Sequence, residues 1–153
     1  MSADPTPLDD TDLQIINVLA RDGRASFAEI GKTVGLRPHG AADRVRRLLR
    51  NGVITGFRAT VELANVGRTL DAFIDVQLSS STSSERFEQF VLELPAVQEV
   101  AFVTGRFDFH VRVACHSAED LDRTVRSIRR EGGAAQTETR IVLRSTVSAH
   151  PIA

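Results

Sequence analysis

The chain has no tryptophan, no tyrosine, one cysteine and one methionine among its 153 residues. With a single thiol, Cys115, an internal disulfide is excluded. The alternating neighbours of Cys115 are those of a strand, so it reads as a buried free thiol in a reducing, cytoplasmic setting. No stretch approaches 18 consecutive apolar residues, which excludes a membrane-spanning helix. The first ten residues are acidic and contain proline, unlike a secretory signal. No His, Cys, Asp or Glu cluster has metal-ligand spacing, and no nucleophile motif is present. What remains is a chain with 42% hydrophobic and 25% charged residues, ordinary for a soluble protein of one domain or two small ones. Eight phenylalanines supply its aromatic core.

The net charge of −1 hides a segregation. Residues 1–23 carry Arg21 against five aspartates, a net of −4. Residues 24–58 carry eight bases (Arg24, Lys32, Arg37, Arg44, Arg46, Arg47, Arg50 and Arg58) against Glu29 and Asp43, a net of +6. Residues 59–153 return to −3. Basic charge gathered in one short segment is the footprint of a polyanion-binding module.

That segment lies within a run of helix signals. Thr11 to Arg21 places Leu13, Ile16 and Leu19 at three-residue steps, with Asp9 or Asp10 as cap and Gly23 as stop. Ser26 and Glu29 have capping-box spacing, in which each side chain satisfies a free amide of the other's turn. They open a helix that carries Ile30 and Val34 inward and ends at Gly35. Pro38 suits the first position of a third helix, which runs to about Asn51 and stops at Gly52. Three short helices with a tight turn before the third form a helix-turn-helix. At 100° per residue, Val45, Leu48 and Leu49 make the apolar stripe of the third helix, with Ala41 and Ala42 flanking it. His39, Gly40, Asp43, Arg47 and Arg50 face outward, with Arg44 and Arg46 on the shoulders.

Val53 to Val66 reads as strand and linker, after which the composition turns mildly acidic. Leu70–Leu78 alternates as a strand. A Ser/Thr run then leads into a helix bearing Phe87, Phe90, Val91 and Leu94, with Thr82 and Glu85 at capping-box spacing. Strands Val97–Thr104 and Phe107–Cys115 flank Gly105, the latter with Phe109, Val111 and Val113 on one face and His110 and Arg112 on the other. Ser117 and Asp120 cap a helix carrying Leu121, Val125 and Ile128, and a last strand spans Gln136–Ser148. The order β-α-β-β-α-β is the ferredoxin-like split. The expected fold is α+β, with a helix-turn-helix domain at 1–52, strand and linker at 53–66 and a ferredoxin-like domain at 67–153. Helices cover only one face of such a sheet, and a second copy is the simplest cover for the other.

These residues carry a resemblance. Leu8-Asp9 with Asp12, Ile16 and Leu19; Asp22-Gly23-Arg24; Glu29-Ile30 with Val34-Gly35-Leu36; Arg44-Val45 with Arg47-Leu48; and Gly52 through Phe57 form an ordered set. Val103-Thr104-Gly105-Arg106-Phe107-Asp108 and Thr137 through Leu143 continue it. The chain resembles the leucine-responsive/asparagine-regulatory (Lrp/AsnC) transcriptional regulators over nearly its full length. The resemblance implies homodimers joined through their C-terminal sheets, commonly assembled into octamers. It also implies an amino-acid effector bound between C-terminal domains; from the residues themselves, no cofactor and no catalysis are expected.

In such a dimer two recognition helices would enter major grooves of double-stranded DNA about 34 Å, or a multiple, apart. Arg47 is the leading candidate for a base edge. His39 and Asp43 can reach bases near the start of the helix, beside Pro38 and Gly40, while Arg37, Arg44, Arg46 and Arg50 hold phosphates. For the effector, Gly105 lets the hairpin of Val103, Thr104, Arg106 and Phe107 turn its amides toward a carboxylate. Asp108 accepts from an ammonium, and Thr137 and Thr139 present hydroxyls on one strand face; an ordinary hairpin and strand would use the same residues. Two positions depart from the family pattern. Arg106 stands where an acidic residue is frequent, which changes the accepted ligand or removes sensing. Arg37 stands where a capping serine is usual, at a cost of about 1 kcal/mol. Two rival readings remain: an architectural DNA-binding protein without an effector, and a sirohaem decarboxylase-like enzyme using His110, His116 and Arg112.

Overall fold

The computed structural model describes residues 7–146. They fall into two compact units that divide between Thr60 and Val61. The first holds α1 (Asp10–Arg21), α2 (Phe27–Val34) and α3 (Pro38–Arg50). Local chemistry sets their ends. Asp9 caps α1 in a reciprocal box with Asp12, and Ser26 does the same for α2 with Glu29. Gly35 ends α2 at φ 74°, a left-handed conformation that glycine adopts without a Cβ penalty. Arg37 precedes α3 without a side-chain cap, and Pro38 takes its first turn.

The helices close on a core of Ile15, Leu19, Ile30, Ala41, Val45 and Leu48. Ile15, not Ile16, is the fully buried apolar residue of α1. Leu49, expected in the stripe of α3, is exposed, while Ala41 lies at its centre. The tight turn between α2 and α3 requires Gly31. A Cβ there would stand 2.5 Å from the backbone oxygen of Leu36, while the Leu36 N–H donates to Gly31 O at 2.8 Å. Gly31→Ala is therefore expected to destabilise this unit by about 1–3 kcal/mol, the cost of overpacking, despite the better helix propensity of alanine. Urea unfolding followed by helical circular dichroism reads this; equal or greater stability would contradict it.

Residues 55–62 carry no regular structure, so the strand expected from Val53 does not form within one chain. It has no neighbouring strand to bond, and an isolated strand is not stable. A single 3-10 turn, Leu63–Val66, opens the second unit. That unit comprises β1 (Leu70–Leu78), α4 (Ser84–Leu92), β2 (Val97–Phe102), β3 (Phe109–Cys115), α5 (Ala118–Arg130) and β4 (Ala134–Ile141). The sheet is antiparallel in the order β2-β3-β1-β4, the ferredoxin-like arrangement. The helices cover the face bearing Ala72, Ile74, Val76, Phe109, Val111 and Val113, with Phe87, Val91, Leu121 and Ile128 packed onto it.

Three boundaries differ from the sequence expectation. Ser83, not Thr82, caps α4, because the Thr82 hydroxyl is bonded to Ser79 and to Gly133 O. β2 and β3 stop short of the hairpin, at Phe102 and Phe109. β4 begins at Ala134 and ends at Ile141; residues 147–148 of the expected strand lie outside the described residues. Cys115 is buried at the end of β3, and burial pushes its thiol above the ordinary value, away from thiolate reactivity.

Candidate nucleic-acid interface and effector site

The outer face of α3 is built by its register. With Ala41, Ala42, Val45 and Leu48 buried, His39, Asp43, Arg46 and Arg50 are left on the solvent side, preceded by Arg37 and Pro38. Asp43 links this row, with its carboxylate 3.3 Å from His39 Nε2 and 3.1 Å from Arg46 Nη1. The space where a Gly40 Cβ would stand is open, so the helix backbone there is approachable. Among the described residues, Arg37 and Arg50 have no ion-pair or hydrogen-bond partner for their side chains. The Arg46 guanidinium also lies over the Phe27 ring, 6.0 Å from its centroid.

Arg44, expected on a shoulder of α3, and Arg47, expected to face outward, are both engaged by carboxylates of α1. Arg47 Nη2 donates to both carboxylate oxygens of Asp12, at 2.7 and 2.6 Å. Arg44 Nη1 donates to Asp12 Oδ1 at 3.0 Å and to Asp9 Oδ1 at 2.7 Å. The Asp12 side chain is 1% exposed. It also accepts from the Asp9 N–H, while Asp9 accepts from the Asp12 N–H. A buried carboxylate is costly unless paired and hydrogen-bonded, and two arginines of α3 supply the pairing. Arg47 sits about 70° around the helix from the exposed row at 3.6 residues per turn, close enough to α1 to be captured. The Arg44 guanidinium holds the Asp9 carboxyl below its usual range, and Asp9 in turn raises Arg44. Sequence reasoning missed Asp12, although it stands three and seven residues before the buried Ile15 and Leu19, inside the apolar stripe.

In the second unit, the hairpin between β2 and β3 bends at Gly105, at φ 116°. The Val103 N–H donates to Asp108 O, and the Asp108 N–H donates to Val76 O. Asp108 Oδ2 accepts the Leu78 N–H at 2.7 Å. Asp108, expected to face an ammonium, is thus engaged in holding the hairpin to the end of β1. Thr104, Gly105 and Arg106 are exposed, and the Arg106 guanidinium lies over the Phe107 ring at 5.2 Å. Thr137 and Thr139 pair with Val76 and Ile74 in the register of β1 and β4, so both point to the helix side. Thr137 Oγ1 accepts from Arg129 Nε at 2.7 Å. β1 separates these threonines from β3 and the hairpin, two strand spacings or roughly 10 Å. One chain therefore brings the two groups to the same end of the sheet without joining them.

The open sheet face carries a charged network that the sequence reading did not assemble. Asp75 lies 2.6 Å from His110 Nδ1 and accepts from Arg140 Nη2 at 2.6 Å. Arg112 donates twice to Asp71, at 3.2 and 2.7 Å. The His110 ring stacks on Phe73 at 4.6 Å. His110 and Arg112 are thus each engaged by a carboxylate on this face, whereas His116 lies beyond β3 with its ring bonded to Gly67 O. Among the described residues, no group of three His, Cys, Asp and Glu side chains could hold a metal ion. No helix among them is long and apolar enough to cross a membrane.

Comparison with known proteins adds a second line of observation. Residues 8–49 match the model of the AsnC-type helix-turn-helix domain. Residues 71–152 match that of the Lrp/AsnC ligand binding domain. The chain is 35% identical over 144 residues to the uncharacterized HTH-type transcriptional regulator YezC of Bacillus subtilis, covering 94% of this chain and 99% of that protein. It superposes on the leucine response regulatory protein LrpA of Mycobacterium tuberculosis with a TM-score of 0.80 at 27% identity, covering 94% and 97% of the two chains. A transcriptional regulator of Neisseria meningitidis, NMB0573, solved in complex with L-Met, superposes with a TM-score of 0.89 over 96% and 97% of the chains. At 23% identity that last likeness concerns the fold.

Proposed function

The chain belongs to the Lrp/AsnC family of helix-turn-helix transcriptional regulators, and from that membership we propose that it reads operator DNA with α3 and responds to an amino acid. The observation that carries the DNA half is the division of the arginines in the basic segment. Arg44 and Arg47 are neutralised by carboxylates of α1, while Arg37, Arg46 and Arg50 stand on the solvent face. These three hold phosphates. His39 and Asp43, beside Pro38 and Gly40, face base edges, where an aspartate can accept from a cytosine amine. Arg44 and Arg47 act as positioning residues that fix the reading helix on α1.

The match of residues 71–152 to a ligand-binding domain supports the effector half. So does the solved relative above that is named for its leucine response. In our reading a second copy covers the open sheet face, with further dimers assembling toward an octamer. The effector lies between copies at the hairpin from Val103 to Asp108, with Thr139 and Thr137 of β4 contributing from the far side of β1. Arg106, exposed and, among the described residues, held only by its stacking on Phe107, supplies a cation for an acidic or polar ligand side chain.

A panel of the twenty amino acids tests this reading, with melting temperature and oligomer size as readouts. At least one is expected to raise the melting temperature by several degrees; a ligand at about 100 times its Kd stabilises by ~2.7 kcal/mol. Arg106→Glu should then change which amino acid acts while leaving DNA binding intact. If no amino acid moves either readout, the architectural reading replaces this one.

A further inference from the structure

At the end of the sheet opposite the Gly105 hairpin lies a cavity of about 350 Å³. The chain entering β1, the loop after α4 and one side of α5 enclose it. We propose that this cavity is a binding site for a small organic carboxylate, separate from the hairpin.

The argument begins with Arg68. Its guanidinium is half-buried and lines the cavity. Nη1 donates to Ala114 O at 2.7 Å, which fixes the side chain. Arginine carries five N–H donors, and among the described residues no carboxylate pairs with Arg68. A fixed, half-buried cation without a counter-charge, facing a cavity, calls for an anion.

The rest of the lining agrees with that demand. Arg123 borders the same cavity and is only loosely engaged, 3.6 Å from Asp120 and 3.9 Å from Glu119. Of the lining side chains Asp120 is the only acidic one, and its Oδ2 already accepts the His116 N–H at 3.0 Å. Two guanidiniums against one carboxylate leave an excess of one positive charge. The Ser127 hydroxyl also lines the cavity and has no hydrogen-bond partner among the described residues. It can donate to an oxyanion.

Pro95, with Leu94 and Ala96, forms an apolar wall. That wall favours a carboxylate attached to a short carbon chain over bare inorganic phosphate, which would leave it without contact. The volume lies at the small end of the range for ligand pockets, sized for a molecule of a few carbons. Arginine recognises carboxylate with parallel N–H donors, so Arg68 and Arg123 are the residues assigned to the ligand head.

Calorimetric titration of succinate into the full-length protein at constant ionic strength tests the site, with inorganic phosphate as a second titrant. Succinate is expected to bind, and Arg123→Ala, an exposed position whose loss does not disturb the fold, should weaken it by about tenfold or more. Arg68→Gln, which keeps a donor for Ala114 O, should do the same. Arg106→Glu at the hairpin should leave succinate affinity unchanged. The proposal is overturned if succinate gives no saturable heat, if both arginine variants bind it as tightly as the parent, or if Arg106→Glu removes the binding. Phosphate binding more tightly than succinate overturns the carboxylate assignment.

Discussion

Removing Arg44 and Arg47 together, as Arg44→Ala/Arg47→Ala, is expected to cost the helix-turn-helix unit about 3–5 kcal/mol, the penalty for leaving a buried charge uncompensated. Asp12 is the reason. Its carboxylate is almost wholly enclosed, and among the described residues these two guanidiniums are its only ionic partners. Asp12→Ala should be milder, because the arginines it releases are about one third exposed and return to water. Adding Asp12→Ala to the double variant should therefore restore part of the loss. The order of the three variants in urea unfolding is the diagnostic. A double variant no less stable than one altered at exposed Arg46 would show that Asp12 needs no partner. For a unit this small a loss of several kcal/mol approaches its whole stability, so the variant is expected to lose DNA binding by unfolding.

The opposite dissociation is expected for Arg37→Ala/Arg46→Ala/Arg50→Ala. These side chains face solvent, so folding should change by no more than about 0.5 kcal/mol each. DNA affinity should fall by two or more orders of magnitude at roughly 0.1 M salt, because each phosphate contact contributes a salt slope of about 0.9. With three contacts on each helix of a dimer, the slope of log K against log salt should drop by about 5. Binding measured at several salt concentrations reads both quantities. An unchanged slope would remove these arginines from the interface. The same experiment on Arg47→Gln separates a positioning residue from a phosphate contact, since a positioning role lowers affinity with little change in slope.

Much of this was legible in the order of residues. Ser26 with Glu29, Pro38 and Gly35 mark their helix ends through chemistry confined to one turn. The alternation in Leu70–Leu78 and Phe109–Cys115 predicts both strands and the faces of their core residues, because side-chain direction in a strand follows a period of two. The ordered motifs named the family without any coordinates. Long-range partners were not legible. The bond that turns Arg47 inward spans 35 positions, and nothing near Arg47 reveals that Asp12 will be buried. Thr82 loses its expected capping role to a glycine carbonyl 51 residues away. Thr137 is separated from the Gly105 hairpin by β1 because the sheet order is β2-β3-β1-β4. The sequence by itself determined where the elements lie, which faces they bury and which segment is basic, since these depend on neighbours within a few residues. The tertiary structure alone decided which arginines are neutralised and which remain for a ligand, because charge pairing is set by distances in space.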